Sequence, residues 1–325
     1  MTPRHDAPRR LAVAPMMDRT DRHCRYFLRL LAPHAWLYTE MVTAAAIVRG
    51  SRDRLLAFDP SEHPVAVQLG GSDPDELAAA ARCAAAAGYD EVNLNVGCPS
   101  DRVQAGCFGA ALMIRPELVA DSVRAMRDAC DLPVTVKTRL GVDEFDSYEF
   151  LQDFAHAVEA AGSRTLIVHA RKAWLKGLSP KQNREVPPLD YARVYRLKQD
   201  FPRLEILING GLDSIGPALE QLAHVDGIML GRAAYQHPYL LAELDRRLYG
   251  GEAPPSRECV LEAILPYAER ELAAGTPLRA ITRHLMGLYL GLPGARAWRR
   301  MLSQLADGAR GLDALRRYLS ARLAA

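Results

Sequence analysis

Residues 64–98, PVAVQLGGSDPDELAAAARCAAAAGYDEVNLNVGC, contain the repeating unit from which the fold can be inferred. The short runs Pro64–Leu69 and Glu91–Val96 have the composition of buried strands. The alanine-rich segment between them has an aspartate cap, a proline in its first turn and a glycine at its end, which together indicate a helix. A strand, a helix and a second strand in this order predict a βαβ unit with parallel strands.

The same alternation continues along the chain to about residue 250. Eight strand candidates alternate with segments of helical period, and eight such units match an α/β fold of the (β/α)8 TIM barrel type in number and length. The segment Ala44–Phe58 has the weakest helical pattern among the connecting segments. We predict strands at Leu11–Met16, Ala35–Glu40, Pro64–Leu69, Glu91–Val96, Pro133–Arg139, Thr165–Ala170, Leu204–Asn209 and Gly227–Gly231.

The pattern changes after the segment RRLYGGEAPPS, whose Gly-Gly and Pro-Pro pairs are typical of a linker. The sequence beyond this linker shows only the hydrophobic periodicity of helices. We therefore predict a barrel domain over residues 1–250 and a C-terminal all-helical domain over residues 251–325. Its predicted helices are Glu258–Ala274, Pro277–Leu290, Ala295–Ala306 and Asp313–Leu323.

The charge distribution is uneven although the formal net charge is only +2. From Ala273 to the end there are nine arginines against two acids, Asp307 and Asp313, so this region carries +7 and the preceding chain about −5. A basic region attached to a mildly acidic body is typical of proteins with a phosphate-rich partner. Solvated helix faces are the alternative interpretation.

The composition argues against several classes of protein. A hydrophobic fraction of 49% with 25% charged residues is typical of a soluble globular chain. No apolar run is long enough to cross a membrane, and the N-terminus lacks the features of a signal peptide, so we expect a cytoplasmic protein without membrane contact. The six cysteines form no CxxC pair and have no Cys/His metal spacing, so we expect neither a metal site nor a disulfide scaffold.

Polar residues cluster at the predicted C-terminal ends of the strands. In a TIM barrel the catalytic groups come from these ends and from the loops that follow them. Any one of these residues could be a structural polar group that is satisfied by a neighbour, but their convergence on one rim predicts a functional site. They are Gln68, Asn93, Asn95, Lys137, Arg139, His169 and Asn209.

The last two strand ends have the features of a phosphate site. Asn209, Gly210 and Gly211 follow the seventh strand, and Gly231 and Arg232 follow the eighth. Glycines expose backbone N–H groups where TIM barrels commonly bind phosphate, and an arginine adds a bidentate partner. The glycines could alternatively serve only to make tight turns.

The remaining polar set matches the edge of a flavin. Gln68 and Asn95 offer amides, Lys137 a cation and His169 a tunable donor, while Pro15–Met17 provide a backbone edge. A lysine near the carbonyl end of the ring stabilises the reduced anion. Flavin mononucleotide (FMN) is therefore the leading ligand, and a Schiff-base role for Lys137 remains the alternative.

Cys98 follows the fourth strand and is held by Pro99. A thiol can donate a proton near neutral pH, whereas a serine hydroxyl is far too weak an acid. Flavin-dependent reduction of an electron-poor C=C bond needs such a donor, so we predict this role for Cys98. The alternative is a thiol that only packs in the loop, which is our interpretation of the nearby Cys107.

Several blocks of this sequence resemble the tRNA-dihydrouridine synthases, from about Leu11 to beyond GARAWRR. The blocks NVGCPSDRVQ and SPKQNREVPPLDY resemble the A-type subfamily, whose members reduce uridines at positions 20 and 20a of the tRNA D-loop. The other matching blocks are APMMDRTDRHCRYFLRLL, LYTEMV, VAVQLGG, PVTVKTRLGVD, INGG and DGIMLGRAAYQHP.

The resemblance implies an FMN-containing barrel that is reduced by NADPH and a C-terminal helical domain that binds tRNA. It also implies that hydride passes from flavin N5 to C6 of uracil and that Cys98 protonates C5. The residues implied to hold FMN are Pro15, Met16, Met17, Gln68, Lys137, His169, Asn209, Gly210, Gly211, Gly231 and Arg232. Those implied to contact the uridine, its phosphates or the tRNA are Asn95, Arg139, Arg171, Asn183, Arg184, Arg296, Arg299 and Arg300.

Three other functions stay open at this point. A related flavoprotein could act on a free pyrimidine or on dihydroorotate, but it would not need the arginine-rich tail. A barrel lyase could use Lys137 as a Schiff base, and an RNA-binding protein without catalysis could share the tail.

Trp174 or Trp298 could stack on a base, although a core role is the stronger expectation for each. We expect a monomer with no obligate protein partner.

Overall fold

The structure is a computed structural model that describes residues 8–100, 106, 108–251 and 253–323. Cys107, whose role was predicted to be structural, lies outside the described residues, as do residues 101–105 of the loop after Cys98.

Eight parallel strands close into a barrel in the order β1 to β8, with β1 paired to β8. All eight predicted strands are present, so the TIM barrel prediction is confirmed. The strands are β1 Leu11–Val13, β2 Trp36–Thr43, β3 Val65–Gly70, β4 Glu91–Val96, β5 Val134–Arg139, β6 Thr165–His169, β7 Glu205–Asn209 and β8 Gly227–Leu230.

Helices follow the strands and cover the outside of the barrel. In the barrel region they are α1 Arg22–Leu31, α2 Ala44–Arg49, α3 Arg52–Leu55, α4 Pro74–Ala87, α5 Pro116–Ala129, α6 Tyr148–Ala160, α7 Tyr191–Asp200, α8 Ile215–Glu220, α9 Arg232–Gln236 and α10 Tyr239–Tyr249. The tail contains α11 Arg257–Ala273, α12 Leu278–Thr282, α13 Ala295–Ser303 and α14 Ala309–Leu323. Short 3-10 segments lie at Pro60–Glu62, Gly109–Ile114, Gln182–Arg184, Gln221–Ala223 and Arg283–Gly287.

The helix signals in the opening stretch work as the sequence predicts. The Asp73 side chain caps α4 by accepting from the backbone N–H groups of Asp75 and Glu76. Gly88 ends the helix in the left-handed conformation with φ of +92°, which a residue with a Cβ rarely adopts. The weak segment Ala44–Phe58 forms two short helices, α2 and α3, because the chain leaves helical geometry at Gly50.

Two strands end more than one residue away from their predicted limits. Strand β1 ends at Val13 instead of Met16, because the ladder bond from Ala14 N to Leu230 O (2.8 Å) is followed by Pro15, which has no N–H to continue it. Strand β2 continues to Thr43, beyond the predicted Glu40, across an irregularity between Tyr38 and Met41.

Two separate sets of apolar side chains form the core. The outward-facing strand residues pack against the helices in one large cluster. Inside the barrel lies a smaller buried cluster, because successive side chains of a strand point to opposite faces. It consists of Ala12, Ala14, Trp36, Tyr38, Ala66, Ile167, Leu207 and Met229.

The tail helices pack against α1 of the barrel. The Arg22 guanidinium forms a bidentate pair with Glu271 of α11 at 2.7 and 2.5 Å, and the rings of Tyr26 and Tyr267 stack with centroids 3.8 Å apart. Trp298 is fully buried in the tail and donates to Leu285 O at 2.8 Å, so it has the expected core role. Among the residues that the structure describes, none of the helices combines the length and apolar character needed to cross a lipid bilayer.

Candidate active site

The register of the barrel brings the polar strand ends together. In the register of adjacent strands, Gln68 is the partner of Asn93, Asn95 is the partner of Lys137, and His169 is the partner of both Arg139 and Asn209. Because all strands are parallel, their C-terminal ends form one rim. The polar residues predicted to converge therefore lie on five consecutive strands, β3 to β7, at the same end of the barrel.

Three of these residues form a buried chain of amides. Asn95 Nδ2 donates to Gln68 Oε1, and Gln68 Nε2 donates to Asn93 Oδ1, both at 2.8 Å. Asn93 Nδ2 in turn donates to Thr135 Oγ1 at 2.8 Å. Gln68 and Asn93 are 1% and 0% exposed, so their polarity is satisfied by each other instead of by water.

Cys98 is held at both of its backbone polar groups. Its N–H donates to Asn95 Oδ1 at 3.0 Å, and its carbonyl accepts from Ala110 N at 2.9 Å. The thiol is half-buried and lies 3.5 Å from Ser100 Oγ. Its charge, when ionised, would act on both Lys137 and Arg139, so the thiol belongs to the same rim.

The buried environment of Lys137 disfavours its positive charge. Its ammonium donates to Asn209 Oδ1 at 3.1 Å, while Asn209 Nδ2 donates to Met229 O at 2.7 Å. Burial lowers the pKa of Lys137 to about 7, and the neighbouring Arg139 guanidinium acts in the same direction. A bound anion would offset this cost, which makes Lys137 a good partner for a negatively charged ligand.

His169 is neutral in this environment. Burial lowers the pKa of its imidazole well below the usual value, and the charges of Arg139 and Lys137 add to the effect. The ring lies against the backbone of Gly210, where an added Cβ would approach His169 Cδ2 to 2.7 Å. A neutral imidazole can donate from one nitrogen and accept at the other.

Only glycine fits in the turn after β7, and the backbone after β8 is open. Gly210 and Gly211 have φ of +112° and +70°, and a Cβ on Gly211 would come within 2.5 Å of Leu189 Cδ1. At Gly231 the nearest atom to an added Cβ is Ala14 Cβ at 3.9 Å, so this position is open. Backbone N–H groups in such loops can bind a phosphate.

The loop after β1 lies beside the β8 end of this rim. Met16 O accepts from the backbone N–H groups of Arg19 and Thr20, and Met16 N donates to Thr20 Oγ1 at 2.9 Å. This turn presents Met17 with 56% of its surface exposed. The predicted Pro15–Met17 edge is therefore adjacent to Gly231.

Arg139 and Asn183 are buried and form hydrogen bonds within the protein instead of facing solvent. Arg139 is 4% exposed and donates to the carbonyls of Gly97, Lys172 and Asn183. Asn183 is fully buried, where its amide binds both backbone groups of Trp174 and the carbonyl of Leu178. The sequence predicted ligand contacts for both residues, but in this structure Arg139 Nε and Nη1 and the Asn183 amide form hydrogen bonds inside the protein.

Three further arginines line the outer part of the rim. Arg171 donates to the carbonyls of Pro187 and Glu185, and its buried Nε has no hydrogen-bond partner among the described residues. Arg232 forms an ion pair with Glu185 at 2.5 Å, and Arg184 is exposed. Glu185 thus already neutralises part of the positive charge that the sequence assigned to phosphate binding.

The predicted tail arginines lie on one short helix. Arg296, Arg299 and Arg300 are exposed on α13, and none of them forms an ion pair with another described residue. Trp298 of the same helix is buried, so the helix is anchored by its apolar face. The exposed guanidinium groups are available to an external partner.

Sequence reasoning missed two residues beneath the rim. Glu91 is fully buried and accepts from the Thr135 hydroxyl at 2.6 Å and from Arg9 Nε at 2.8 Å. The signal was present in the sequence, since Glu91 and Thr135 are polar residues near the start of strands that were predicted to be buried. Within the described part of the chain, no group of three or more potential ligands is placed to hold a metal ion.

Comparison with known proteins gives a consistent result. The family described as "Dihydrouridine synthase (Dus)" matches residues 12–323. A protein of Shewanella oneidensis named tRNA-dihydrouridine(20/20a) synthase is 60% identical over 299 residues, which cover 92% of this chain and 89% of that protein. Proteins of the same name from Vibrio vulnificus and Escherichia coli (strain K12) are 56% and 59% identical, covering 96% and 92% of this chain and 96% and 87% of their own lengths.

Proposed function

The chain belongs to the dihydrouridine synthase family, and from this premise we propose that it reduces the C5=C6 bond of uridines at positions 20 and 20a of the tRNA D-loop. The relatives that carry this name are 56% to 60% identical over almost the whole chain. The observation that carries the proposal is the position of Cys98, a thiol fixed at its N–H and its carbonyl on the same rim as Lys137 and Asn95.

The residues of the rim fit FMN. The positive-φ glycine turn at Gly210 and Gly211 and the open backbone at Gly231 match a phosphate, and the ammonium of Lys137 matches the electron-rich edge of an isoalloxazine ring. We propose that Gln68, His169, Asn209, Arg232 and Pro15–Met17 complete this site. FMN would supply hydride to C6 of uracil, and NADPH would supply the electrons that restore the flavin.

Cys98 supplies the proton in this proposal. The thiol donates to C5 of uracil, on the carbon next to the one that receives hydride, so the product gains two hydrogens and no charge. Asn95 and Arg139 keep the thiol in place by binding the peptide group that joins Gly97 to Cys98, at Cys98 N and Gly97 O. Arg171 and Arg184 lie at the outer rim, where the phosphates of the substrate would pass.

The tail is the proposed tRNA-binding domain, which we place after residue 250. Arginines on an exposed helix bind phosphates without reading sequence, and they make the affinity depend on salt. The target base must leave its stack to reach a thiol inside the barrel rim. Arg296, Arg299 and Arg300 are therefore proposed to hold the body of the tRNA while the base enters the site.

The test uses purified protein, FMN, NADPH and an unmodified tRNA transcript. We expect dihydrouridine at positions 20 and 20a, located by mass spectrometry of nuclease fragments. Cys98→Ala should still bind FMN but should lose at least about 100-fold in rate, because it lacks the general acid. Cys259→Ala, which removes an exposed thiol from α11, is the control and should react normally. Normal turnover by Cys98→Ala would refute the proton-donor role.

The rival functions give different results in the same preparation. Reduction of free uracil that survives deletion of residues 251–325 would favour a flavoprotein acting on free pyrimidines. Trapping of Lys137 by borohydride with a carbonyl substrate would favour a lyase. A colourless preparation that binds tRNA but cannot bind added FMN would favour an RNA-binding protein without catalysis.

A further inference from the structure

A single line of hydrogen bonds runs from Cys98 down the barrel interior to a buried ion pair. Each step joins neighbouring strands or the loop above them, and the path passes from the β4 loop through β3, β4 and β5 to Glu91 at the start of β4. We name it the amide chain. Its bonds run from Cys98 N to Asn95 Oδ1 (3.0 Å), Asn95 Nδ2 to Gln68 Oε1 (2.8 Å), Gln68 Nε2 to Asn93 Oδ1 (2.8 Å), Asn93 Nδ2 to Thr135 Oγ1 (2.8 Å) and Thr135 Oγ1 to Glu91 Oε1 (2.6 Å).

The lower end of the amide chain fixes its direction. Arg9 can only donate, so its bond of 2.8 Å makes Glu91 Oε2 an acceptor. Glu91 Oε1 also accepts from the Tyr38 hydroxyl at 2.7 Å. Burial raises the pKa of Tyr38 well above its usual value, so this hydroxyl keeps its proton. The single proton of Thr135 must then point to Glu91.

This direction determines the orientation of every amide above it. Because the Thr135 hydroxyl donates its hydrogen bond to Glu91, Thr135 Oγ1 can only accept from Asn93, whose NH2 group must therefore face Thr135. The same argument applies in turn to Gln68 and Asn95. At the upper end the requirement is identical, since the backbone N–H of Cys98 can only donate and needs the oxygen of Asn95.

We propose that Glu91 and Thr135 are positioning residues that fix the Asn93, Gln68 and Asn95 amides in one orientation and thereby hold Cys98 in place. This inference rests on the proposed function for its catalytic meaning. It adds that the geometry of the proton donor is set by residues near the N-terminal ends of β4 and β5. Hydrogen bonds in such a chain also polarise one another, so a break at the lower end weakens the upper bonds.

The barrel contains a matched control for this proposal. On the neighbouring strands β6 and β7, the Thr165 hydroxyl donates to Glu205 Oε2 at 2.7 Å, and the same carboxylate pairs with Arg9 at 3.0 Å. Thr165 and Thr135 are 3% and 1% exposed. The two threonines therefore have the same type of partner and similar burial, but only Thr135 connects to an amide.

The experiment compares Thr135→Val, Thr135→Ser and Thr165→Val. The first readout is the rate at which iodoacetamide alkylates Cys98 in the FMN-free protein, measured by peptide mass spectrometry. We expect faster alkylation in Thr135→Val only, because its Asn95 amide is free to turn and the Cys98 loop opens more often. Thr135→Ser restores the hydroxyl and should behave like the wild type.

The second readout is turnover of tRNA with FMN and NADPH. Thr135→Val should lose roughly 10- to 100-fold in kcat with little change in KM, because a small displacement of a catalytic group has effects of this size. Thr165→Val and Thr135→Ser should retain the wild-type kcat. Glu91→Gln, with Glu205→Gln as its control, tests the same point if Thr135→Val does not fold.

Two results would overturn the proposal. Unchanged alkylation and turnover in Thr135→Val would mean that the chain does not position Cys98. Equal changes in Thr135→Val and Thr165→Val would mean that the effect comes from the buried Arg9 cluster in general. If the wild type does not reduce tRNA, the proposed function fails, while the alkylation rates still decide whether the amide chain holds Cys98.

Discussion

Lys137 illustrates how one residue can be unfavourable for folding and useful for binding. Its ammonium is bonded only to the neutral amide oxygen of Asn209 among the described residues, and its nearest charged neighbour on the strand is Arg139. Burial lowers its pKa from 10.5 to about 7. The folded protein therefore holds this proton less tightly than the unfolded chain does.

This difference predicts a pH-dependent stability of the FMN-free protein. Between pH 7 and 10.5 the unfolded chain keeps the Lys137 proton and the folded protein releases it, so stability rises with pH over this window. Below pH 7 the full cost of the buried charge is present. Lys137→Met should therefore melt several degrees above the wild type at pH 6, and the gap should narrow toward pH 10.

The measurement is thermal unfolding of both FMN-free proteins from pH 6 to pH 10. Lys176→Met is the control, because Lys176 is exposed in the loop after β6 and its removal should not change the pH dependence. A constant difference between wild type and Lys137→Met across this range would contradict the lowered pKa.

At the scale of elements, the long connection between β6 and α7 is organised by buried polar side chains. Arg139 from β5 binds carbonyls of the β4 loop and of this connection, and Asn183 binds Trp174 and Leu178 within it. A loop of this length needs such internal bonds, because its own backbone groups have no sheet or helix to satisfy them.

Asn183→Ala separates a structural role from direct tRNA contact. Removing the amide leaves the N–H and carbonyl of Trp174 without partners, a loss of about 1–3 kcal/mol confined to this loop. We expect faster hydrogen exchange at residues 174–186 and weaker tRNA binding together, with the barrel strands unchanged. Lys181→Ala, an exposed position in the same loop, should alter neither the exchange rates nor the barrel. Weaker tRNA binding with unchanged exchange would instead indicate direct contact.

The elements were predictable from local patterns, whereas the contacts that connect them were not. Strand β4 was predicted at its observed limits, Glu91–Val96, because its apolar alternation and the preceding Gly88 are local signals. The polar rim followed from the rule that parallel strands end on one side of a barrel. The bond between Thr135 and Glu91 depends on register across two strands, which a single sequence does not contain.

The roles of individual arginines were also hard to predict. Arg139 and Arg171 both follow strands and carry the same charge, so the sequence assigned them similar ligand contacts. Arg139 is buried because three loop carbonyls surround it, and those carbonyls come from parts of the chain far apart in sequence. Arg232 likewise meets Glu185 only through tertiary folding.

For the whole molecule, the main feature is a basic tail fixed beside the rim of the barrel. Asp21 caps α1 directly after the β1 loop of the site, and it binds Arg283 at 2.5 Å and His284 at 3.0 Å. The Arg22 pair with Glu271 adds a second attachment. The arginines of the tail are therefore held in a fixed position relative to the barrel rim, as a partner that spans both would need.

Replacing Arg299 and Arg300 with alanine should weaken tRNA binding and lower its dependence on salt. Each lost phosphate contact reduces the slope of log K against log salt concentration by roughly 1, so the double variant should lose up to about 2. Both residues are exposed and lack ion pairs with described residues, so the fold should not change.

The matched control removes the same two charges from the opposite end of the barrel. Arg164 and Arg203 are exposed and immediately precede β6 and β7 on the N-terminal rim, away from the site. Arg164→Ala with Arg203→Ala changes the net charge equally but should leave the slope unchanged if the tail contacts the phosphates directly. Binding titrations over a range of potassium chloride concentrations measure both slopes. Equal losses in the two double variants would mean that overall charge, and not the tail surface, attracts the tRNA.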